Sequence, residues 1–341
     1  MINVVKKNDN LIIYWLLLSL FLVFSMIIVG GLTRLTDSGL SITEWELFKG
    51  IIPPLTNEAW IKYFNLYKEI PQYELINSNM SLKEFKIIYF WEYGHRILGR
   101  IIGLFFLISL IYFHYKKMIN KRNIKILYFI MFLILIQGIV GWYMVQSGLV
   151  NDVTVSHYRL SLHLSLAILI ISIIFWQILN FKSQKSVKFF EIKINYLPFL
   201  ILIFLVFLQI ILGAFVSGLD AGRIYQTWPL MGHTYFPNDI VLENIKFFFD
   251  FDNHSLIQFY HRNLAYFISL YIFILCSMIF FKKLKKLFPW AFLVLIILLF
   301  QILLGVFSLI SNLNIIIASG HQITSVILIL SLLNLYHKYI K

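Results

Sequence analysis

Residues 196–217 read YLPFLILIFLVFLQIILGAFVS, a run without a single acidic or basic side chain. A helix needs about 20 consecutive apolar residues to cross the hydrocarbon core of a bilayer. The run is continuous rather than alternating, which predicts a helix and not a strand of a closed barrel. Similar runs lie at about 11–33, 92–115, 124–146, 158–180, 256–281, 289–311 and 315–337. The sequence therefore predicts an all-α integral membrane protein with eight transmembrane helices.

The overall composition excludes a soluble enzyme. Of the 341 residues, 60% are hydrophobic and 13% are charged, against about 45–50% and about 25% in typical soluble domains. The single cysteine, Cys276, lies inside an apolar run. A lone cysteine excludes a disulfide framework, and it predicts neither a thiolate zinc site nor an iron–sulfur cluster held by this chain alone.

The basic residues are distributed unevenly between the two sides of the membrane. Three short loops, 116–125, 182–193 and 282–286, together with the two chain ends, carry 17 of the 29 basic residues and only two of the 16 acidic ones. The positive-inside rule places these loops and both termini in the cytoplasm. The long loops at about 34–91 and 218–255 then lie outside. The net charge of +13 is therefore attributed to membrane orientation, and no nucleic-acid partner is expected.

The chain contains an internal repeat. The segment 30–45, with Gly30, Asp-Ser-Gly and a final Trp, recurs 183 residues later as 213–228, and Gln137 and Gly141 recur as Gln301 and Gly305. Each copy holds four helices, so both copies enter the membrane in the same sense. The repeat predicts two pseudo-symmetric parallel four-helix bundles, residues 1–180 and residues 181–341.

Four of the nine histidines occupy equivalent positions of this repeat, at similar depth in the outer half of the even-numbered helices. They are His95, His163, His261 and His321. One buried histidine often only completes a hydrogen bond, but two matched pairs indicate ligands. Two imidazoles from facing helices are typical of bis-histidine haem. Zinc would require further ligands nearby, and no such set recurs in both halves.

Arginines gather near the same outer boundary. They are Arg96, Arg100, Arg159 and Arg262. Guanidinium groups pair well with carboxylates, so these arginines are candidate partners for haem propionates. The alternative is that they extend from the helix ends toward lipid headgroups.

One ionisable residue is present in the first half and absent from the matching position of the second. Glu92 precedes His95 by three residues and shares its helix face, whereas the matching residue in the second half is Gln258. This asymmetry predicts that one half holds a reacting molecule and the other a resident cofactor. Glu92 is the candidate catalytic group, as a proton acceptor or as a stabiliser of developing positive charge. The alternative is a boundary glutamate that faces headgroups.

Several long motifs together resemble the haem A synthase family. They are WEYGHR at 91–96, GGLTRLTDSGLS at 30–41, GAFVSGLDAG at 213–222, TWPLM at 227–231 and HR at 261–262. The resemblance covers about residues 28–335. It implies an eight-helix duplicated membrane oxidoreductase that acts on a CH group, oxidising the C8 methyl of haem O to a formyl. The product is haem A for cytochrome oxidase.

The resemblance also implies roles for individual residues. His261 and His321 would ligate a resident haem b, His95 and His163 would bracket the haem O substrate, and Glu92 would match the family's essential glutamate. Expected partners are haem O synthase, an unidentified electron acceptor or donor, and membrane lipid. A homo-oligomer is left open. The first outer loop has no cysteine pair, which resembles the proteobacterial and mitochondrial branch, and the lack of a transit-peptide pattern favours a bacterial inner membrane.

Two other functions are compatible with the histidine pairs or with the repeat. A quinone-linked di-haem electron-transfer protein of the b type would use both histidine pairs, but it usually carries haems in opposite leaflets and gives no reason for Glu92. A transporter would explain the parallel repeat, but transporters are often marked by broken helices with polar residues at the midplane, and few are found here. A haem spectrum would separate transport from the other two functions.

Overall fold

The computed structural model describes residues 2–44, 49–149, 153–184, 187–189, 191–240 and 245–341. In these residues the chain forms ten α-helices and no β-strand longer than an isolated bridge. The helices are α1 (Ile2–Leu35), α2 (Asn57–Lys68), α3 (Pro71–Leu75), α4 (Leu82–Tyr115), α5 (Lys121–Gly148), α6 (His157–Ser183), α7 (Leu197–Gly218), α8 (His254–Phe281), α9 (Phe288–Ile310) and α10 (Ile315–Tyr339).

Eight of the described helices are long and apolar enough to cross a membrane, all except α2 and α3. The prediction of an all-α integral membrane protein with eight spans is confirmed. The pseudo-symmetry between the two halves stays a prediction, as does their division of labour.

Helix α4 begins earlier than its apolar run indicates. It starts at Leu82 rather than near residue 92, because Ser81 and Glu84 form a reciprocal capping box at its first turn. The early start adds more than two turns that lie outside the apolar run. Those turns carry Phe85 and Tyr89, both buried.

The chain divides into two compact units, Met1–Ile171 and Ser172–Lys341. In the first unit α1 packs against α4, and α4 packs against α5. Trp15 of α1 inserts between Phe106 and Phe113 of α4, with ring centres 4.8 and 5.1 Å apart. This aromatic contact holds α1 and α4 together on the side of the N-terminus.

The first outer loop forms a cap on the same unit. Helix α2 packs on the first turns of α4, where Trp60 contacts the ring of Tyr89 at 5.0 Å and Phe64 contacts that of Phe85 at 5.0 Å. Leu40 and Ile42 belong to the same buried cluster. Burial raises the pKa of the Tyr67 hydroxyl to about 12, and this hydroxyl donates to Gln72 Oε1 at 2.9 Å and accepts from Asn77 at 2.7 Å.

In the second unit four helices close into a bundle. Helix α7 packs on α8, α8 on α9, α9 on α10, and α10 back on α7. Cys276 of α8 is buried, and its Sγ lies 3.7 Å from the Ala291 carbonyl oxygen of α9. The lone cysteine is therefore a core residue. At the end of α10, His337 is buried and its Nε2 lies 3.1 Å from Asn180 Oδ1.

Candidate functional site: two histidine pairs

Each unit brings one pair of the singled-out histidines together. In the first unit, His95 of α4 and His163 of α6 have ring centres 6.5 Å apart. In the second unit, His261 of α8 and His321 of α10 have ring centres 6.4 Å apart. The pairing is the one that the repeat predicts, and the role of each histidine stays a prediction.

All four imidazoles lie against a glycine of the preceding transmembrane helix. The contacts are Gly30 with His95, Gly141 with His163, Gly213 with His261, and Gly305 with His321. A Cβ atom on any of these glycines would lie between 2.7 and 3.2 Å from a ring atom of its histidine. At Gly141 and Gly305 the distance is too short for any real Cβ, and at Gly30 and Gly213 the ring would have to give way by a few tenths of an ångström. We call these four residues the cradle glycines.

Glutamines one turn before three of the cradle glycines contact the same histidines. Gln137 of α5 donates to the His163 carbonyl at 3.1 Å, and its Nε2 lies 3.2 Å from the ring Nε2. Gln209 of α7 donates to the His261 carbonyl at 2.9 Å, and its Nε2 lies 3.0 Å from the ring Nδ1.

The third glutamine makes its contact differently. The His321 Nδ1 lies 3.1 Å from the main-chain carbonyl oxygen of Gln301, and the two side-chain Nε2 atoms are 3.5 Å apart. Sequence reasoning missed these contacts, although it used Gln137 and Gln301 to align the repeat. The signal was the four-residue spacing to the cradle glycine, which puts both residues on one helix face.

The histidine pairs fit a haem iron. Two imidazoles on one metal ion, with metal–nitrogen bonds of about 2 Å, have ring centres roughly 6 Å apart, close to the separations of 6.5 and 6.4 Å seen here. Three buried polar atoms around the pairs have no hydrogen-bond partner in the part of the chain that the structure describes, namely Gln137 Oε1, His163 Nδ1 and Gln209 Oε1. Within the described ranges no group of three or more His, Cys, Asp or Glu is placed to hold a metal ion.

Glu92 lies three residues before His95 on α4 and is buried, with 3% of its surface exposed. Its Oε1 accepts hydrogen bonds from Arg96 Nη2 at 2.6 Å and Arg96 Nε at 3.0 Å. Its Oε2 accepts from the Ser41 hydroxyl and from the Ile42 backbone N–H, both at 2.8 Å. The carboxylate is thus enclosed by protein groups, and it links α4 to the start of the first outer loop.

The second unit has a related contact without the charge. Gln258 is buried and donates to the Tyr225 carbonyl at 2.9 Å, and Arg262 donates to the same carbonyl at 2.9 Å. In the first unit Arg96 donates to the Ile42 carbonyl at 2.9 Å. Ile42 and Tyr225 are 183 residues apart, the repeat offset. Helices α4 and α8 therefore each bind their outer loop at the same place, and the residue beside the arginine is a carboxylate in α4 and an amide in α8.

The loops reach these contacts through similar turns. Asp37 follows α1 with φ 50°, and Asp220 follows α7 with φ 52°. Aspartate is one of the few residues with a side chain that tolerate this left-handed conformation. The Arg34 side chain pairs with Asp37 at 2.9 Å. The Asp-Ser-Gly and Asp-Ala-Gly motifs thus direct each chain back over its own helices.

The four arginines have different surroundings. Arg96 and Arg262 donate to loop carbonyls, as described above. Arg159 donates to the Tyr143 carbonyl at 2.8 Å and lies over the Tyr143 ring at 3.9 Å. Arg100 is partly buried one turn beyond Arg96. Their expected contact with haem propionates stays a prediction.

Known proteins share this sequence over nearly its whole length. The family model described as cytochrome oxidase assembly protein matches residues 13–333. A haem A synthase of Pelagibacter ubique is 47% identical over 337 residues, covering 97% of this chain and 98% of that protein. Haem A synthases of Parvibaculum lavamentivorans and Rickettsia bellii are 44% and 42% identical, covering 79% and 92% of this chain and 78% and 94% of theirs. The chain therefore belongs to the haem A synthase family of cytochrome oxidase assembly proteins.

Proposed function

We propose that the chain is a haem A synthase, a multi-pass membrane enzyme that oxidises the C8 methyl of haem O to a formyl. The observation that carries the proposal is the pair of histidines in each of two units, each with the ring separation that bis-histidine haem requires. Two such histidine pairs suit an enzyme that holds one haem as a cofactor while it oxidises another. Membership of the family along nearly the whole chain supports the same reaction.

The two units have different roles in this proposal. His261 and His321 hold a resident haem b in the second unit, and His95 and His163 hold haem O in the first. The position of Glu92 supports this assignment, because the matching residue in the second unit is the uncharged Gln258. Bound there, haem b would supply a one-electron redox centre, and the expected further partner is an electron acceptor or donor.

Glu92 is the proposed catalytic group. Oxidation of a methyl group removes electrons and protons, so positive charge develops next to the porphyrin. A buried carboxylate on the helix face of His95 stabilises that charge or accepts a proton. Arg96, Ser41 and Ile42 hold the carboxylate by four hydrogen bonds, so little reorganisation is needed when the charge appears.

Other groups orient the substrate and its surroundings. The cradle glycines admit the imidazoles, and Arg96, Arg100, Arg159 and Arg262 remain the proposed partners of the propionates. The proposed location is the bacterial inner membrane, and the proposed orientation has both termini in the cytoplasm, because the short basic loops share one side. Haem O synthase supplies the substrate, lipid surrounds the helices, and a homo-oligomer is left open.

One experiment tests the function. The chain is expressed in a host that makes no haem A of its own, with and without haem O synthase, and the haems are extracted and separated. Haem A is expected only when haem O synthase is present. Haem b alone in both preparations, at two per chain, would instead indicate the di-haem electron-transfer protein and would overturn the proposed function.

A further inference from the structure

The four cradle glycines share a helical pattern that fails at one position. In α5, α7 and α9 the residue four positions earlier is a glutamine, namely Gln137, Gln209 and Gln301. In α1 the residue four positions before Gly30 is Met26. The exception therefore belongs to His95, one of the two histidines assigned to the substrate.

The glutamines tie their histidines across a helix interface. Gln137 and Gln209 donate to the main-chain carbonyls of His163 and His261, and the Gln301 carbonyl lies within hydrogen-bond distance of the His321 ring. The two carbonyl contacts use no ring nitrogen, so they persist when a ring binds iron. Hydrogen-bonded groups next to a metal ligand fix its orientation and commonly change metal affinity by 10- to 100-fold.

Met26 makes no such tie. Its thioether is at most a weak acceptor, and its Cε packs on α4 at Gly99, where an added Cβ would lie 3.3 Å away. Among the residues that the structure describes, no side chain or carbonyl forms a hydrogen bond with the His95 ring, which is held by packing against Gly30. Glutamine side chains thus tether His163 and His261, and a main-chain carbonyl contacts the His321 ring. His95 is held by packing alone.

We infer that His95 is the exchangeable ligand. Met26 allows the exchange because it stands where the other three helices have a glutamine and forms no hydrogen bond to His95. The inference rests on the proposed function, in which the substrate haem must enter and the product must leave while the resident haem stays. With haem bound, His95 would leave the iron more readily than the tethered His163, and no electron would need to be transferred. Met26 and the glutamines whose side chains donate to a histidine carbonyl, Gln137 and Gln209, then act as positioning residues that separate a transient haem site from a permanent one.

Ligand exchange tests this inference without turnover. The purified protein carries its resident haem, haem b is added to fill the first unit, and the reduced protein is mixed with carbon monoxide. Carbon monoxide binds only after a histidine leaves the iron, so its binding rate reports ligand departure. We expect a fast phase from the first unit and a slow phase from the second. Met26→Gln should slow the fast phase about tenfold or more, and Gln209→Met should speed the slow phase by a similar factor.

Methionine and glutamine are nearly equal in length, so these exchanges change hydrogen bonding more than packing. Met26→Leu, which adds no amide, is the matched control and should leave the fast phase unchanged. Equal rates for Met26→Gln and Met26→Leu would overturn the inference, and so would a Gln209→Met protein whose slow phase is unaltered. Haem b suffices for these measurements, so a failure here is distinct from a failure to make haem A.

Discussion

Arg96 donates to Glu92 from one turn further along the same helix, at 2.6 Å, and the same guanidinium donates to the Ile42 carbonyl at 2.9 Å. An acidic residue expected at the substrate is therefore also a fastening point for the first outer loop. In the second unit Gln258 and Arg262 donate to the Tyr225 carbonyl, while the carboxylate of Asp239 accepts from the Tyr225 and Ser255 hydroxyls, both at 2.6 Å. The contact with the loop carbonyl therefore forms there without an acidic residue at the position that matches Glu92.

Glu92→Gln should abolish most haem A formation while the protein still folds. Glutamine beside arginine is the combination already present at Gln258 and Arg262, so the loop contact has a precedent in this chain. Removing the charge should lower the rate by about 10² or more. The measurement is the ratio of haem A to haem O in membranes, with the haem b spectrum as the test of folding.

The control for this variant lies in the other unit. Gln258→Glu, combined with Glu92→Gln, should not restore haem A, because the second unit holds the resident haem. Haem A at near wild-type levels in Glu92→Gln would make the glutamate a loop-holding residue only.

Gly141→Ala should impair use of haem O. A Cβ at this position would lie 2.9 Å from the His163 ring, so the imidazole must move. Gly138→Ala on the same helix is the matched control, because a Cβ there meets nothing within 4 Å. Haem O bound per chain should fall in the first variant and stay unchanged in the second. Equal binding in both would show that the cradle glycine does not set the ring position.

Substitution of the histidines should have different effects in the two units. His261→Ala and His321→Ala should each remove or alter the haem b spectrum of the purified protein. His95→Ala and His163→Ala should leave most haem b in place and reduce haem A. Spectra that are unchanged in all four variants would exclude haem binding at these pairs.

Fusions to alkaline phosphatase test the orientation in the membrane. Alkaline phosphatase becomes active only outside the cytoplasm. Fusions after residues 60 and 240 should therefore be active, and fusions after residues 120 and 285 should be inactive. The reason is the accumulation of lysine and arginine in the loops at 116–125, 182–193 and 282–286. An active fusion after residue 120 would reverse the assignment of sides.

The eight spans were predictable because the bilayer imposes one strong condition, a long apolar helix, and each run meets it on its own. The histidine pairs were also predictable, because the repeat aligns His95 with His261 and His163 with His321. Those inferences need only local composition and the order of residues. The early start of α4 was missed because hydropathy ends near residue 92, whereas the helix is continued by the cap at Ser81.

The contacts around the histidines and Glu92 could not be predicted from the sequence, for a different reason. Ser41 and Glu92 are 51 positions apart, and no pattern in either segment predicts the contact between them. Helices α2 and α3 in the first outer loop were not predicted either, because they are short and are held by packing on α4. The glutamine spacing was visible, but its purpose depends on which helix faces which, and that is settled only by the packing of the helices.

The cradle glycines make each imidazole sensitive to a neighbouring helix. The main chain at each cradle glycine lies on one helix, and the ring that packs against it belongs to another. A side chain added at a cradle glycine would therefore act first on a residue that lies elsewhere in the chain. The effect of such a substitution is transmitted between helices rather than along one of them.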